Sequence, residues 1–218
     1  MRRTLVGGVA LSLIALALNS CATKGPEVPT SMALRYGTVT NPADISVRVS
    51  LSNRAVYVFE KEEPRFAAAV AIGTPEDPTP VGNFKVFSKQ PRKRSGTYGF
   101  FVKGEEIVPG KASQMPSGYK YVGYPMPWWV EFSSGYGFHA GAVWPSPRTH
   151  GCLRLHRTIA GEFFNLVNSG TPVHIANSLP EDATIGKTIP RPTDFDAPDS
   201  PRSILVTDAP FESTAVLF

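Results

Sequence analysis

The sequence predicts a mainly β domain, a sandwich-like or barrel-like sheet with one packed helix. Three observations carry this: apolar residues recur with period two between residues 45 and 176, 21 prolines and 19 glycines punctuate the 218-residue chain, and a single segment repeats its apolar residues at helical spacing. The run ISVRVSL sets Ile45, Val47, Val49 and Leu51 at alternate positions, and AVYVFE continues the pattern after the turn-like Ser52-Asn53-Arg54, so the two read as a hairpin with one buried face. RFAAAVAIG predicts a third strand, with side chains small enough to lie close under a neighbour. After the proline-rich loop TPEDPTPVG, NFKVFSK predicts a fourth. Residues 90–127 are full of Lys, Gly and Tyr and read as a long loop of the functional or disordered kind. Tyr119, Tyr121 and Tyr124, with Trp128 and Trp129, either wall a groove for sugar or peptide faces or form the rim of the core. WWVEF and YGFHA read as strands around a turn at Ser133-Ser134-Gly135, and they deliver His139 near a strand end. In the helix, Thr158 is the expected N-cap, Ile159, Phe163, Leu166 and Val167 form the apolar stripe, and Gly170 stands where the C-terminal cap belongs. TPVHIA is the closing strand, with His174 mid-strand in a structural or surface role.

The two ends of the chain read differently from the middle. MRRTLVGGVALSLIALALNSC has a basic start, an apolar core from about Leu5 to Leu18 that is short for a membrane span, and then small or polar residues before Cys21. Leu18-Asn19-Ser20-Cys21 resembles a bacterial lipoprotein cleavage box. That resemblance implies a signal peptide over residues 1–20, lipid on the thiol of Cys21, and, because Ala22 follows the cysteine, a periplasm-facing position in the cell envelope at the outer membrane. Residues 21–41 are then a polar tether, 42–177 the folded domain, and 178–218 an irregular extension rich in Pro, Asp, Ser and Thr. The formal charge of +4 falls to +2 once Arg2 and Arg3 leave with the signal, so charge offers no case for nucleic acid as a partner.

With Cys21 lipidated, Cys152 is the single thiol of the exported chain and has no disulfide partner. A thiol attacks as thiolate, and at a pKa of about 8.5 only a few per cent is ionised at neutral pH, so a base or a nearby cation is needed. Histidine serves best, since the imidazolium formed stabilises the adjacent thiolate. His139, His150 and His156 all lie near Cys152 in sequence. His150 is only two residues away, which restricts how its ring approaches the sulfur, whereas His139 arrives on a separate strand, and geometry favours it as base. Gly151 lets the backbone turn tightly, so that the amides of Gly151 and Cys152 converge on one point as donors to an oxyanion. His156 is expected to cap or shield the helix start. A zinc site built from His139, His150, Cys152 and His156 fits no familiar ligand spacing.

GFHAG followed by THGCLRL, with TPVGNF upstream and NSGTPVHI downstream, resembles the L,D-transpeptidase family of bacterial cell-wall enzymes, the YkuD-like domain, over about residues 45–175. The resemblance implies a YkuD-like sheet with Cys152 as nucleophile, His139 as general base, and Thr149, His150 and Gly151 presenting the backbone that binds the oxyanion. Arg154 matches the family's arginine, which either fixes the loop or binds a substrate carboxylate. The implied reaction needs no cofactor and no metal. Cys152 takes the acyl group of a peptidoglycan tetrapeptide stem as a thioester, releasing D-alanine, and an amine from a second stem or an envelope protein accepts it. A hydrolase acting on stems or protein–peptidoglycan links with the same site, and a non-catalytic lipoprotein that binds peptidoglycan, are the alternatives.

Overall fold

The computed structural model describes residues 31–198 and 200–217, so the expected signal peptide, Cys21 and residues 22–30 of the expected tether lie outside the described residues. In chain order the strands are β1 (Ala33–Arg35), β2 (Ile45–Ser50), β3 (Ala55–Glu60), β4 (Glu63–Ala71), β5 (Gly82–Lys85), β6 (Ser88–Gln90), β7 (Arg94–Lys103), β8 (Glu106–Lys111), β9 (Lys120–Pro125), β10 (Trp129–Ser133), β11 (Tyr136–Gly141) and β12 (Leu153–His156). Helix α1 (Ala160–Leu166), strand β13 (Pro172–Ala176) and the short helices α2 (Arg202–Leu205) and α3 (Ala209–Glu212) follow.

Ten strands form one sheet in the order β5-β13-β2-β3-β4-β12-β11-β10-β6, with β1 added alongside β4. Its outermost strands, β5 and β6, are consecutive in the chain. The two residues between them tie both edges together: the Val86 amide donates to Thr171 O at 2.9 Å and the Phe87 amide to Glu131 O at 3.0 Å. The sheet therefore curls almost onto itself, and α1 fills the concave side. Ile159, Ala160, Phe163 and Val167 enter the main core, and the Phe163 ring lies 4.6 Å from that of Phe138 and 6.3 Å from that of Phe66. The mainly β fold with one packed helix is thus the one expected.

Several elements differ from the expectation. The expected fourth strand is broken into β5 and β6 by the crossing between edges. Thr158 does not cap α1: its hydroxyl meets Nδ1 of His156 at 2.7 Å, and Ile159 occupies the cap position. Within the expected loop 90–127, residues 94–125 form a second, three-stranded sheet in the order β8-β7-β9, part of which lines the cavity described below. Ala33–Arg35, within the expected tether of residues 21–41, is strand β1, paired with β4.

Residues 178–198 and 200–217 are short helical turns joined by loops, docked on the domain. Every residue of β3 is buried because its two faces meet different neighbours. Val56 and Val58 face the α1 core, whereas Ala55, Tyr57 and Phe59 form a second cluster with Ile189, against which Leu179 and Ile185 pack. Asp182 pins this layer by accepting hydrogen bonds from the Tyr57 hydroxyl (2.8 Å), the Ser50 hydroxyl (2.7 Å) and the Leu179 amide (3.0 Å). Arg94 ties the far end of the extension to the small sheet, donating to Gly123 O at 2.9 Å, to Leu205 O at 3.0 Å and to Thr207 O. Asp182→Ala is expected to lower unfolding stability by about 1–3 kcal/mol in urea, because a buried hydroxyl loses its acceptor. An unchanged midpoint would mean that the docked layer gains nothing from this carboxylate.

Candidate active site

Strands β11 and β12 run parallel, with Phe138 beside Leu153, His139 beside Arg154 and Ala140 beside Leu155. Phe138, Ala140, Leu153 and Leu155 point into the core. By the alternation of a strand, His139 and Arg154 therefore share the opposite face. Cys152 immediately precedes β12, one register step diagonal from His139 and on the same side as Arg154. Cys152, His139 and Arg154 all line one cavity of about 1170 Å³.

His139 is 3% exposed, and its Nδ1 lies 2.8 Å from the Ala140 carbonyl oxygen. A carbonyl only accepts, so Nδ1 carries the proton and Nε2 keeps its lone pair. Burial, then the positive charge of Arg154, hold the imidazole's pKa down at about 3, with the Ala140 carbonyl opposing them. The ring is neutral throughout the ordinary working range. Half-buried Cys152 has its thiol 3.8 Å from the Gly135 carbonyl. Burial pushes its pKa up, the Gly137 amide and the charge of Arg154 pull it down, and Glu131 opposes them. The fixed cation that favours thiolate is thus Arg154, rather than a resting imidazolium at position 139.

The turn before the thiol is held by backbone. Gly151 has φ +93°, and a Cβ there would sit 2.4 Å from the Tyr136 ring, so only glycine fits. The Arg148 and Thr149 amides both donate to Ile72 O at 3.0 Å, and the Thr149 hydroxyl donates to Cys152 O at 2.6 Å. Among the described residues the Gly151 and Cys152 amides donate to no other group. His150 is exposed and stacks on Tyr98 of β7, ring centres 3.8 Å apart, at the cavity rim. His156 is buried away from the thiol, its Nε2 donating to Asp194 Oδ2 at 2.9 Å and its Nδ1 accepting from Thr158, which ties the start of α1 to the C-terminal extension. Among the described residues no three His, Cys, Asp or Glu side chains gather as a metal site.

Residues 44–175 match the YkuD family, the L,D-transpeptidase catalytic domain. The chain belongs to that family. The YkuD domain is also similar to solved structures: an L,D-transpeptidase from Stackebrandtia nassauensis (19% identity over 66% of this chain and 60% of that one, TM-score 0.47), one from Mycobacterium smegmatis (16%, 61% and 58%, TM-score 0.46) and the catalytic domain of the L,D-transpeptidase of E. faecium (22%, 61% and 97%, TM-score 0.43). The chain spans about three fifths of the length of the first two. No curated protein matches it.

The cavity of this YkuD domain is roofed by parts that the sequence did not assign to a site. Tyr98 and Phe100 of β7 and Lys111 at the end of β8 face it from the small sheet, and Leu205 and Leu217 close it from the C-terminal extension. Of the five aromatic residues expected either in a groove or on the core rim, Tyr124 and Trp129 reach the cavity. Tyr119 and Tyr121 pack on Phe101, and Trp128 packs on Phe164. Trp144, in the WPSPR segment, was missed. Its ring lies 5.0 Å from the Arg154 guanidinium carbon, with the Tyr124 ring 6.0 Å away, and Arg154 Nε is buried with no hydrogen-bond acceptor among the described residues. Arg154 is therefore held by rings and leaves its fork unpaired at the cavity wall. Arg154→Met is expected to shift the pH profile of Cys152 alkylation by iodoacetamide to higher pH, since it removes the cation that favours thiolate. An unmoved profile would show that Arg154 does not act on the sulfur.

Proposed function

We propose that the domain is a cysteine acyltransferase that acts on peptidoglycan tetrapeptide stems. The observation that carries this reading is the single-face arrangement of Cys152 with a buried imidazole whose Nδ1–H is bound to a carbonyl and whose Nε2 is free to accept the thiol proton. His139 takes that proton as sulfur attacks the carbonyl of the third stem residue, a diaminopimelate. The unoccupied amides of Gly151 and Cys152 receive the developing oxyanion. Collapse breaks the bond to D-alanine, whose nitrogen takes the proton from His139, and leaves a thioester on Cys152. An acceptor amine then attacks the thioester, His139 removes its proton and returns it to the departing sulfur, and a cross-link or a protein attachment results. No cofactor or metal enters these steps. The unpaired Arg154 fork suits a substrate carboxylate.

The proposal extends to the envelope. Lipid on Cys21 would tether the domain to the periplasmic face of the outer membrane, beside its polymeric substrate, and the support for this is the sequence of residues 1–21.

Intact-mass analysis of the protein incubated with tetrapeptide stems is expected to show one acyl adduct on Cys152, absent from Cys152→Ala, with cross-linked dimers among the products. His139→Gln is expected to slow acylation by about 10²–10⁴-fold. An adduct that resolves only to hydrolysed stem would replace transfer to an amine with hydrolysis, and no adduct at all would remove the assignment.

A further inference from the structure

Away from the cavity lies a buried side chain that the acyl-transfer steps leave unused. Thr79 is 5% exposed, belongs to the loop between β4 and β5, and lines no part of the cavity. Its hydroxyl is nonetheless at the centre of the motif's support. Oγ1 accepts from the Gly73 amide at 3.0 Å and donates to the Gly151 carbonyl at 3.0 Å. The surrounding backbone is packed to contact. A Cβ on Gly73 would sit 2.8 Å from Gly151 Cα, 2.3 Å from Asp77 O and 2.7 Å from Thr79 N, while one on Gly151 would meet Pro78 O at 3.1 Å. A parallel bridge between Gly73 and Thr149 and the Thr74 amide bonded to Thr149 O close the seam.

The consequence lies in the geometry of one peptide unit. The Gly151–Cys152 bond is trans, so its carbonyl and its N–H point in opposite directions within a single plane. Fixing the carbonyl on Thr79 fixes the Cys152 N–H to point away from the 73–79 loop. That N–H is one of the two amides with no acceptor among the described residues. A second hydroxyl, from Thr149, holds the next carbonyl, that of Cys152, at 2.6 Å. Gly151, at φ +93°, lacks the side chain that would otherwise restrict rotation of this peptide, so its orientation depends on these bonds.

We infer that Thr79 is a positioning residue for acyl transfer: its hydroxyl clamps the Gly151–Cys152 peptide so that the Cys152 amide is aimed, before substrate arrives, at the place where the oxyanion forms. This rests on the acyl-transfer reading given above. Preorganised donors act because they cost no reorientation when charge develops, and outright loss of one costs about 10²–10³-fold in rate. Loosening one that remains costs less.

The test separates chemistry that builds an oxyanion from chemistry that does not. Acylation of Cys152 by a tetrapeptide stem and by p-nitrophenyl acetate passes through a tetrahedral oxyanion, whereas alkylation by iodoacetamide is a displacement at carbon and does not. Thr79→Val is expected to slow acylation by both acyl donors by ~10-fold or more. It should leave the rate and pH profile of iodoacetamide alkylation within about 2-fold of the parent protein, and Thr79→Ser, which restores the hydroxyl, should return acylation to near the parent rate. Parent-like acylation of Thr79→Val, an equal loss of alkylation, or failure of Thr79→Ser to rescue would each overturn the inference. Should Thr79→Val not fold, Thr79→Ala provides the same comparison against Thr79→Ser. A parent protein that accepts p-nitrophenyl acetate but not the stem would refute the substrate assignment alone, and the ester would still decide the role of Thr79.

Discussion

The parallel pairing of β11 with β12 is the constraint on which the site depends. Parallel neighbours need a crossover between them, usually a helix. Here the chain returns through residues 142–152, which are held by backbone bonds to Ile72 and Thr74 and by the Thr79 hydroxyl. The register that results sends Phe138, Ala140, Leu153 and Leu155 into the core, and this anchors His139 and Arg154 on the opposite face. Because side chains alternate, a slip of one residue in β11 would turn the imidazole into the apolar interior and the phenylalanine into the cavity, and the same slip in β12 would bury the guanidinium. Packing on α1 and the placement of the reactive groups are thus two outcomes of one register.

The same arrangement sets the electrostatics. Burial disfavours charge on both the imidazole and the thiol, so the resting pair is neutral, and the nearby cation is Arg154. A neutral ring with a fixed tautomer is ready to accept a proton. A permanent cation on the same face is ready to stabilise the anion left behind. Arg154 lowers the pKa of both groups, which favours the thiolate of Cys152 but makes His139 a weaker base, so its position has to balance the two demands.

How far this was legible in the sequence depends on which physical signal each part leaves. Strands β2, β3, β4, β10, β11 and β13 were readable because each buries at least one face and so carries alternating or continuous apolar residues. Strand β12 was not, being four residues long and embedded in the cysteine motif. Residues 94–125 form strands whose faces are largely exposed, which removes the alternation that would have marked them. The docking of the C-terminal extension had a trace in AVYVFE: Ala55, Tyr57 and Phe59 are as apolar as Val56 and Val58, the mark of a strand covered on both sides. Cys152, His139, Gly151 and Arg154 were visible from residue chemistry and motif resemblance together. Thr79 opens the TPVGNF segment that helped mark the family, yet its role left no signal of its own, because its partners are backbone groups, which any residue provides. The actual pairing of His156 with Asp194 joins segments 38 residues apart and left no local pattern.

Acceptance of the thiol proton requires one protonation state of the His139 ring. Nitrogen-15 NMR of histidine-labelled protein, with His139 assigned through His139→Gln, reads it directly at neutral pH. A protonated Nδ1 and an unprotonated Nε2, unchanged down to well below the usual histidine pKa, is the predicted result. An Nε2–H tautomer, or an imidazolium at pH 7, would contradict it, because Nε2 would then hold no lone pair to accept the thiol proton.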